Sequence, residues 1–330
     1  MISKDEISRY DRQIRLWGID GQQKLSNAKV CVLGCRAIAV ELLKNLTLAG
    51  VGSICLVDDS VIEDHDLSYN YFVRADEVGM SRATVTLRRI GALNPRVALD
   101  TNHHKLAEIH DSFFEQFSAV IATEIPYDQL TRINDHTHSR GIPFYAAGLL
   151  GWGAFLFEDL VVHKYTATKP ISNHQTQLGS VSRTRAILEV MADSEKEETM
   201  LIEERFSPLR KAVDTAIHGP FASTLRKKLV KNVSPYLPAL LAHWESASLS
   251  SEDIVAKAHA LGLPSSIFPP EWTHHFIANI NIEVASSASV VGGYLAQEAI
   301  NCLTKRGHPI QNLMIYDAYE GKGPVYLLAA

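Results

Sequence analysis

No stretch of this 330-residue chain approaches the roughly 20 consecutive apolar residues that a membrane-spanning helix needs, so no membrane partner is expected. The opening residues, MISKDEISRYDRQIR, are too polar for a secretory signal. Cysteine is scarce. Only Cys31, Cys35, Cys55 and Cys302 occur, with no CxxC pair, which argues against a tetrahedral zinc site and for buried, reduced thiols in the cell interior. Excess charge is missing too: a formal net charge of −5 supplies no field to draw in nucleic acid. His103-His104 and His274-His275 are adjacent pairs, whose side chains diverge on a helix or strand. No metal site is expected.

What is present is a globular composition, 46% hydrophobic and 21% charged, enough for a substantial core. Lys29–Leu33 is a short apolar run closing on Gly34, as a buried parallel strand does. Ile38, Leu42 and Leu46 then recur at helical spacing, and Ser53–Val57 reads as a second strand ending at Asp58 and Asp59. A helix over 80–93 stops at Asn94-Pro95. A strand over 118–122, a helix over 127–140 and a strand over 143–150 follow. Such repeated βα units predict an α/β fold with a Rossmann-like, doubly wound, mostly parallel sheet.

The run AFLFEDLVVHKY, residues 154–165, adds one or two strands. Residues 165–206 turn polar and lose periodicity, which predicts a linker, disordered in part. Residues 207–282 carry mainly helical patterns. The basic run RKKLVK at 226–231 reads as a solvated helix face before a localisation signal. Residues 285–303 form a helix rich in small residues, suited to close packing against another backbone. Strands at Leu313–Asp317 and 325–328 then finish the sheet. The expected division is 1–164 for the first part of the Rossmann-like domain, 165–282 for a linker and mainly helical insertion, and 283–330 for its completion.

A strand, a glycine-rich turn, a helix and a later acid form the nucleotide fingerprint. Here GCRAIA at 34–39 keeps only Gly34. Ala37 and Ala39 are expected to place methyls where phosphates need close backbone approach. Asp58 remains as an acceptor for ribose hydroxyls. Either the nucleotide binds unusually, or binding is lost and the fold kept; the steric problem favours the second. An NAD(P)-dependent oxidoreductase would need a working glycine loop and a Tyr-Lys or His-Asp set, and neither is found.

RYDRQIRLWG at 9–18, followed by this βαβ unit, then ASVVGGYLAQE at 288–298 and YDAYEG at 316–321, together resemble the enzymes that adenylate ubiquitin-like modifiers, the family of ThiF and MoeB. Within it the chain is most similar to the small, Aos-type subunits of SUMO-activating enzymes; the subunits serving the Nedd/Rub modifier remain the alternative, although they are usually much longer. In the family, arginine and glutamine of a DLSNLNRQF motif face the ATP phosphates. DLSYNYF at 66–72 puts Tyr69 and Asn70 in their places. Arg82 in VGMSRA at 78–83 stands for the lysine of the next motif. Ile125 takes the place of a metal-binding aspartate, and an apolar side chain cannot ligate magnesium.

The resemblance implies a non-catalytic half of a heterodimer. It implies that ATP and Mg2+ are bound by the large catalytic subunit and none tightly by this chain. Arg12 would reach in trans to the partner's ATP, where its planar fork suits phosphate oxygens. Tyr10, Ile14, Leu16 and Trp17 would anchor the dimer, with packing inside the chain as an equal alternative. Cys302, near Lys305 and Arg306, is not expected to act as a nucleophile, because no motif places a base beside it. The thioester would form on the partner's cysteine, SUMO would be the modifier, and the conjugating enzyme would dock through the partner. The nucleus, with the cytoplasm, is the implied location.

Overall fold

A computed structural model describes residues 4–171, 176–192, 196–218, 232–246 and 248–329. Two helices lead in, α1 (Lys4–Arg9) and α2 (Asp11–Asn27), the latter broken at Gly18, whose φ of 76° is not helical. Then come β1 (Lys29–Leu33), α3 (Ala37–Ala49), β2 (Ser53–Val57), α4 (Arg82–Gly91), β3 (Ala98–Asn102), β4 (Ala119–Thr123), α5 (Tyr127–Ser139), β5 (Phe144–Leu150) and β6 (Gly153–Asp159). A second set holds β7 (Val162–Pro170), β8 (Gly179–Ser180), β9 (Arg185–Ala192) and β10 (Glu197–Arg205). The chain closes with α6 (Leu209–His218), α7 (Tyr236–Glu245), α8 (Ser251–Ala260), α9 (Trp272–Asn279), α10 (Ala285–Thr304), β11 (Leu313–Asp317) and β12 (Val325–Tyr326). Among the described residues no helix is long and apolar enough to cross a membrane.

The main sheet has the order β12-β11-β6-β5-β4-β1-β2-β3. Strands β3, β2, β1, β4 and β5 are parallel, and β6, β11 and β12 continue the sheet antiparallel. Apolar residues alternate between its two faces. Val30 and Val32 enter a cluster with α3 and α10, while Cys31 and Leu33 enter a second one with α5 through α9. Burial on both faces is why these strands read as continuous apolar runs. The sheet order reverses at β1, so the crevice beyond the C-terminal ends of β1 and β4 is the switch point where doubly wound sheets take ligands.

Residues 165–206 differ from the expected linker. They continue into a four-stranded antiparallel sheet, ordered β7-β10-β9-β8. Its small core is Tyr165, Ala167, Met200 and Ile202, but other inward positions are polar, among them His163, Glu198 and Glu204. That polar content hides the period-2 signal. Glu204 is compensated by Arg185 at 3.0 Å and by the Tyr165 hydroxyl at 3.0 Å. The basic run at 226–231 lies outside the described residues.

Buried acids make stability depend on pH. Both carboxyl oxygens of Glu158 on β6 are buried without a hydrogen-bond partner among the described residues. Burial pushes this carboxyl well up, and Glu298, Cys302, Glu204 and Asp159 add to the shift. Burial likewise raises Glu298 to about 7. The fold therefore keeps protons that an unfolded chain has already released, and a raised carboxyl pKa means stability falls as pH rises. His163 acts the other way below pH 6.5, since burial lowers its imidazole to about 3. From pH 6.5 to 8 the acids dominate, at about 1.4 kcal/mol per pH unit for each proton retained. The melting temperature followed by circular dichroism should fall across that window, and Glu158→Gln should flatten the fall. A variant profile parallel to the parent's would refute this account.

Candidate functional site

The crevice begins at Gly34. Its φ is +83°, and a Cβ added there would stand 2.5 Å from the Thr123 carbonyl, so only glycine lets the β1 turn pass the end of β4. The Cys35 amide next donates to Asp58 Oδ2 at 3.0 Å. Arg82 donates to the same oxygen at 3.2 Å and to Asp66 Oδ1 at 3.0 Å, and the Ser60 amide donates to Asp58 Oδ1 at 3.1 Å. Asp58, read as a ribose acceptor, is thus buried and bonded within the chain. Burial lifts its carboxyl despite Arg82 beside it. Asp66 is held below its usual range: burial raises it, and bonds from the Tyr69 hydroxyl, the Glu63 amide and Arg82 outweigh that.

The substituted family positions also turn inward. Tyr69 is buried and its hydroxyl donates to Asp66. Asn70 donates to Thr86 Oγ1 at 3.0 Å and accepts from the Phe72 amide at 3.0 Å. Ala37 and Ala39 correct the steric expectation. Both residues are buried in the apolar cluster around α3, Ala37 on the side that faces Tyr69 and α10.

What meets the start of α3 is instead a carboxylate. The Ala37 amide donates to Glu283 Oε2 at 3.1 Å, and the Arg36 guanidinium pairs with the same carboxylate. Nothing in the sequence signals this contact, which spans 246 residues. A second acid lies at the same crevice, next to Ile125. The residue following β4 at the crevice is Glu124, with a φ of 56°, and Ile125 beside it packs against the apolar cluster of α5 through α9 and lines the same cavity. Glu124 accepts from the Leu149 amide at 2.8 Å. Burial, with Glu283 nearby, raises its carboxyl to about 8. The end of β4 therefore presents a carboxyl next to the apolar Ile125 expected there. Arg36, Glu124, Gly148, His243 and Glu283 share the lining of a cavity of about 210 Å³.

At the amino-terminal motif the residues separate. Tyr10 and Trp17 are buried in their own chain, Trp17 at 7% exposure within the α3 and α10 cluster. The Trp17 indole donates to Gln22 at 3.0 Å, and the Tyr10 hydroxyl accepts from Asn94 at 2.8 Å. These two support α2 from within and leave no surface with which to anchor a dimer, so the interface reading of Tyr10 and Trp17 is corrected. Ile14 is half-buried, Arg12 is exposed, and Leu16 and Ile19 are 77% and 53% exposed. Cys302 is buried, and burial raises its thiol even with Lys305 nearby.

The ThiF family model matches residues 10–328. The chain belongs to the ThiF family. This ThiF chain is 32% identical to the Saccharomyces cerevisiae DNA damage tolerance protein RHC31, over 98% of its own length and 97% of that protein. It is equally 32% identical to Schizosaccharomyces pombe rad31, over 99% and 98%. Against human SUMO-activating enzyme subunit 1 it is 26% identical, over 99% and 96%. The solved structure of PaaA aligns with a TM-score of 0.59 at 14% identity, covering 99% of this chain and 84% of that one. E. coli MccB aligns at 0.54 and 15%, covering 96% and 70%. Both structural likenesses speak to the fold alone.

Proposed function

We propose that this ThiF chain is the non-catalytic small subunit of a heterodimeric SUMO-activating ligase. The supporting observation is an asymmetry. Its own crevice spends Asp58 and Arg82 on each other, Tyr69 on Asp66 and Asn70 on Thr86, while Arg12 stands exposed on the first turn of α2. Similarity to SUMO-activating enzyme subunit 1 over the whole length supports the choice of modifier. In this reading the large subunit binds ATP and Mg2+ and adenylates the C-terminus of SUMO. Arg12 enters that site in trans, where a guanidinium stabilises charge as pyrophosphate departs. Leu16, Ile19 and the exposed part of Ile14 supply apolar contact at the interface.

The thioester then forms on a cysteine of the partner. Of this chain's thiols, Cys31, Cys35 and Cys302 are buried, and burial raises Cys31 well above its ordinary value and Cys35 to about 12, the opposite of an activated nucleophile. The conjugating enzyme docks through the partner, and the complex works in the nucleus and also the cytoplasm.

ATP–pyrophosphate exchange tests the proposal. The chain alone should give none with any modifier. The chain with the large subunit and SUMO should give full exchange. Robust exchange by the isolated chain would refute the non-catalytic role, and preference for a Nedd/Rub modifier would refute the pathway.

A further inference from the structure

Helix α3 runs for 13 residues from the first turn of the sheet, and its leading amides point to the crevice. A helix N-terminus favours an anion, and a Rossmann domain uses this one for a ligand phosphate. Here the N-cap residue is Arg36, which makes no side-chain cap bond. A distant carboxylate stands in. Glu283 Oε2 accepts from the Ala37 amide at 3.1 Å while Arg36 pairs with the same group, and the Glu283 side chain is only 7% exposed.

The approach is built into α10, which Glu283 precedes. A Cβ on Gly292 would meet Glu41 Cβ at 2.7 Å and the Ile38 carbonyl at 3.0 Å, so glycine there lets α10 lie directly on α3. Ser287 fastens the same end by donating to the Trp152 carbonyl at 2.9 Å. The start of α10, and Glu283 with it, is thereby fixed over the start of α3.

We propose that Glu283 is a built-in anion that fills the phosphate position of this domain's crevice and holds it closed to phosphate ligands. The block has two parts. The carboxylate occupies the Ala37 amide and the Arg36 fork, and its charge repels an incoming phosphate at short range. Arg36 and the α3 amides are otherwise a competent anion cradle, so removing the carboxylate should uncover it. The inference rests on the non-catalytic reading of this subunit.

Inorganic pyrophosphate is the probe, titrated calorimetrically into the full chain alone, with folding checked by circular dichroism. The parent protein should bind it weakly. Glu283→Ala should bind about tenfold or more tighter, the scale of one or two charge-assisted hydrogen bonds regained. Adding Arg36→Ala should abolish the gain. Glu283→Gln keeps a capping oxygen without the charge; it should gain less, and it carries the test if the alanine variant does not fold. Weak binding by the parent and by both folded variants would overturn the plug and leave the subunit's role standing. A gain that survives Arg36→Ala would also overturn it. Tight binding by the parent would overturn the non-catalytic reading itself.

Discussion

Replacing Arg12 with alanine should lower SUMO-dependent ATP–pyrophosphate exchange of the assembled heterodimer by about a hundredfold or more, the cost of losing one preorganised charge donor to a transition state. That factor corresponds to about 2.7 kcal/mol of barrier. Arg12 is free for such a role. Its neighbour Asp11 pairs with Arg15 at 2.7 Å, and among the described residues Arg12 itself has no ion-pair partner. Its helix is nonetheless held firmly, by Trp17 inside the apolar cluster and by Tyr10, which packs over Gly50 so closely that a Cβ there would lie 2.5 Å from its hydroxyl. A rigid base under an exposed guanidinium is what a group acting on a neighbouring active site requires. Because Arg12 is exposed, its loss should leave the chain's own melting temperature nearly unchanged. Arg12→Lys should recover only part of the rate, since a point charge lacks the planar fork. Exchange at the parental rate in the alanine variant would end the trans-arginine reading.

The sheet was legible because its chemistry is local. Residues of β1 and β2 are apolar on both faces, and each strand closes on glycine or aspartate, so Lys29–Leu33 and Ser53–Val57 emerge with the bounds they have in the fold. Helix α10 was legible through its small residues, and Gly292 shows why they are small. The sheet of β7 to β10 was hidden because His163, Glu198 and Glu204 point inward, where a strand pattern expects apolar side chains. In the crevice, the motif residues marked the place but not their partners. Asp58 and Arg82 are 24 positions apart and Arg36 and Glu283 are 247 apart, so only the fold decides that each acid meets a guanidinium and not a ligand. Trp17 was ambiguous in principle, since a large apolar side chain suits an interface and a core equally.

Arg82→Met should unfold this domain far more readily, by about 3–5 kcal/mol, because it strips the counter-charge from two buried carboxylates at once. Arg82 is 6% exposed and its acids are buried. Asp58 keeps the Cys35 and Ser60 amides, and Asp66 keeps the Tyr69 hydroxyl and the Glu63 amide. Those bonds reduce the loss but cannot neutralise two charges. The chemical denaturation midpoint measures the drop, and Asp58→Asn with Asp66→Asn in the same chain should restore most of it, since the neutral amides no longer need the guanidinium. The two outcomes separate a structural cluster from a ligand site in waiting. If Arg82 served mainly to bind phosphate, Arg82→Met would leave the midpoint within about 0.5 kcal/mol of the parent. A large loss, repaired by removing both acids, would instead mean that the family's phosphate-facing position now serves to hold Asp58 and Asp66 in the interior.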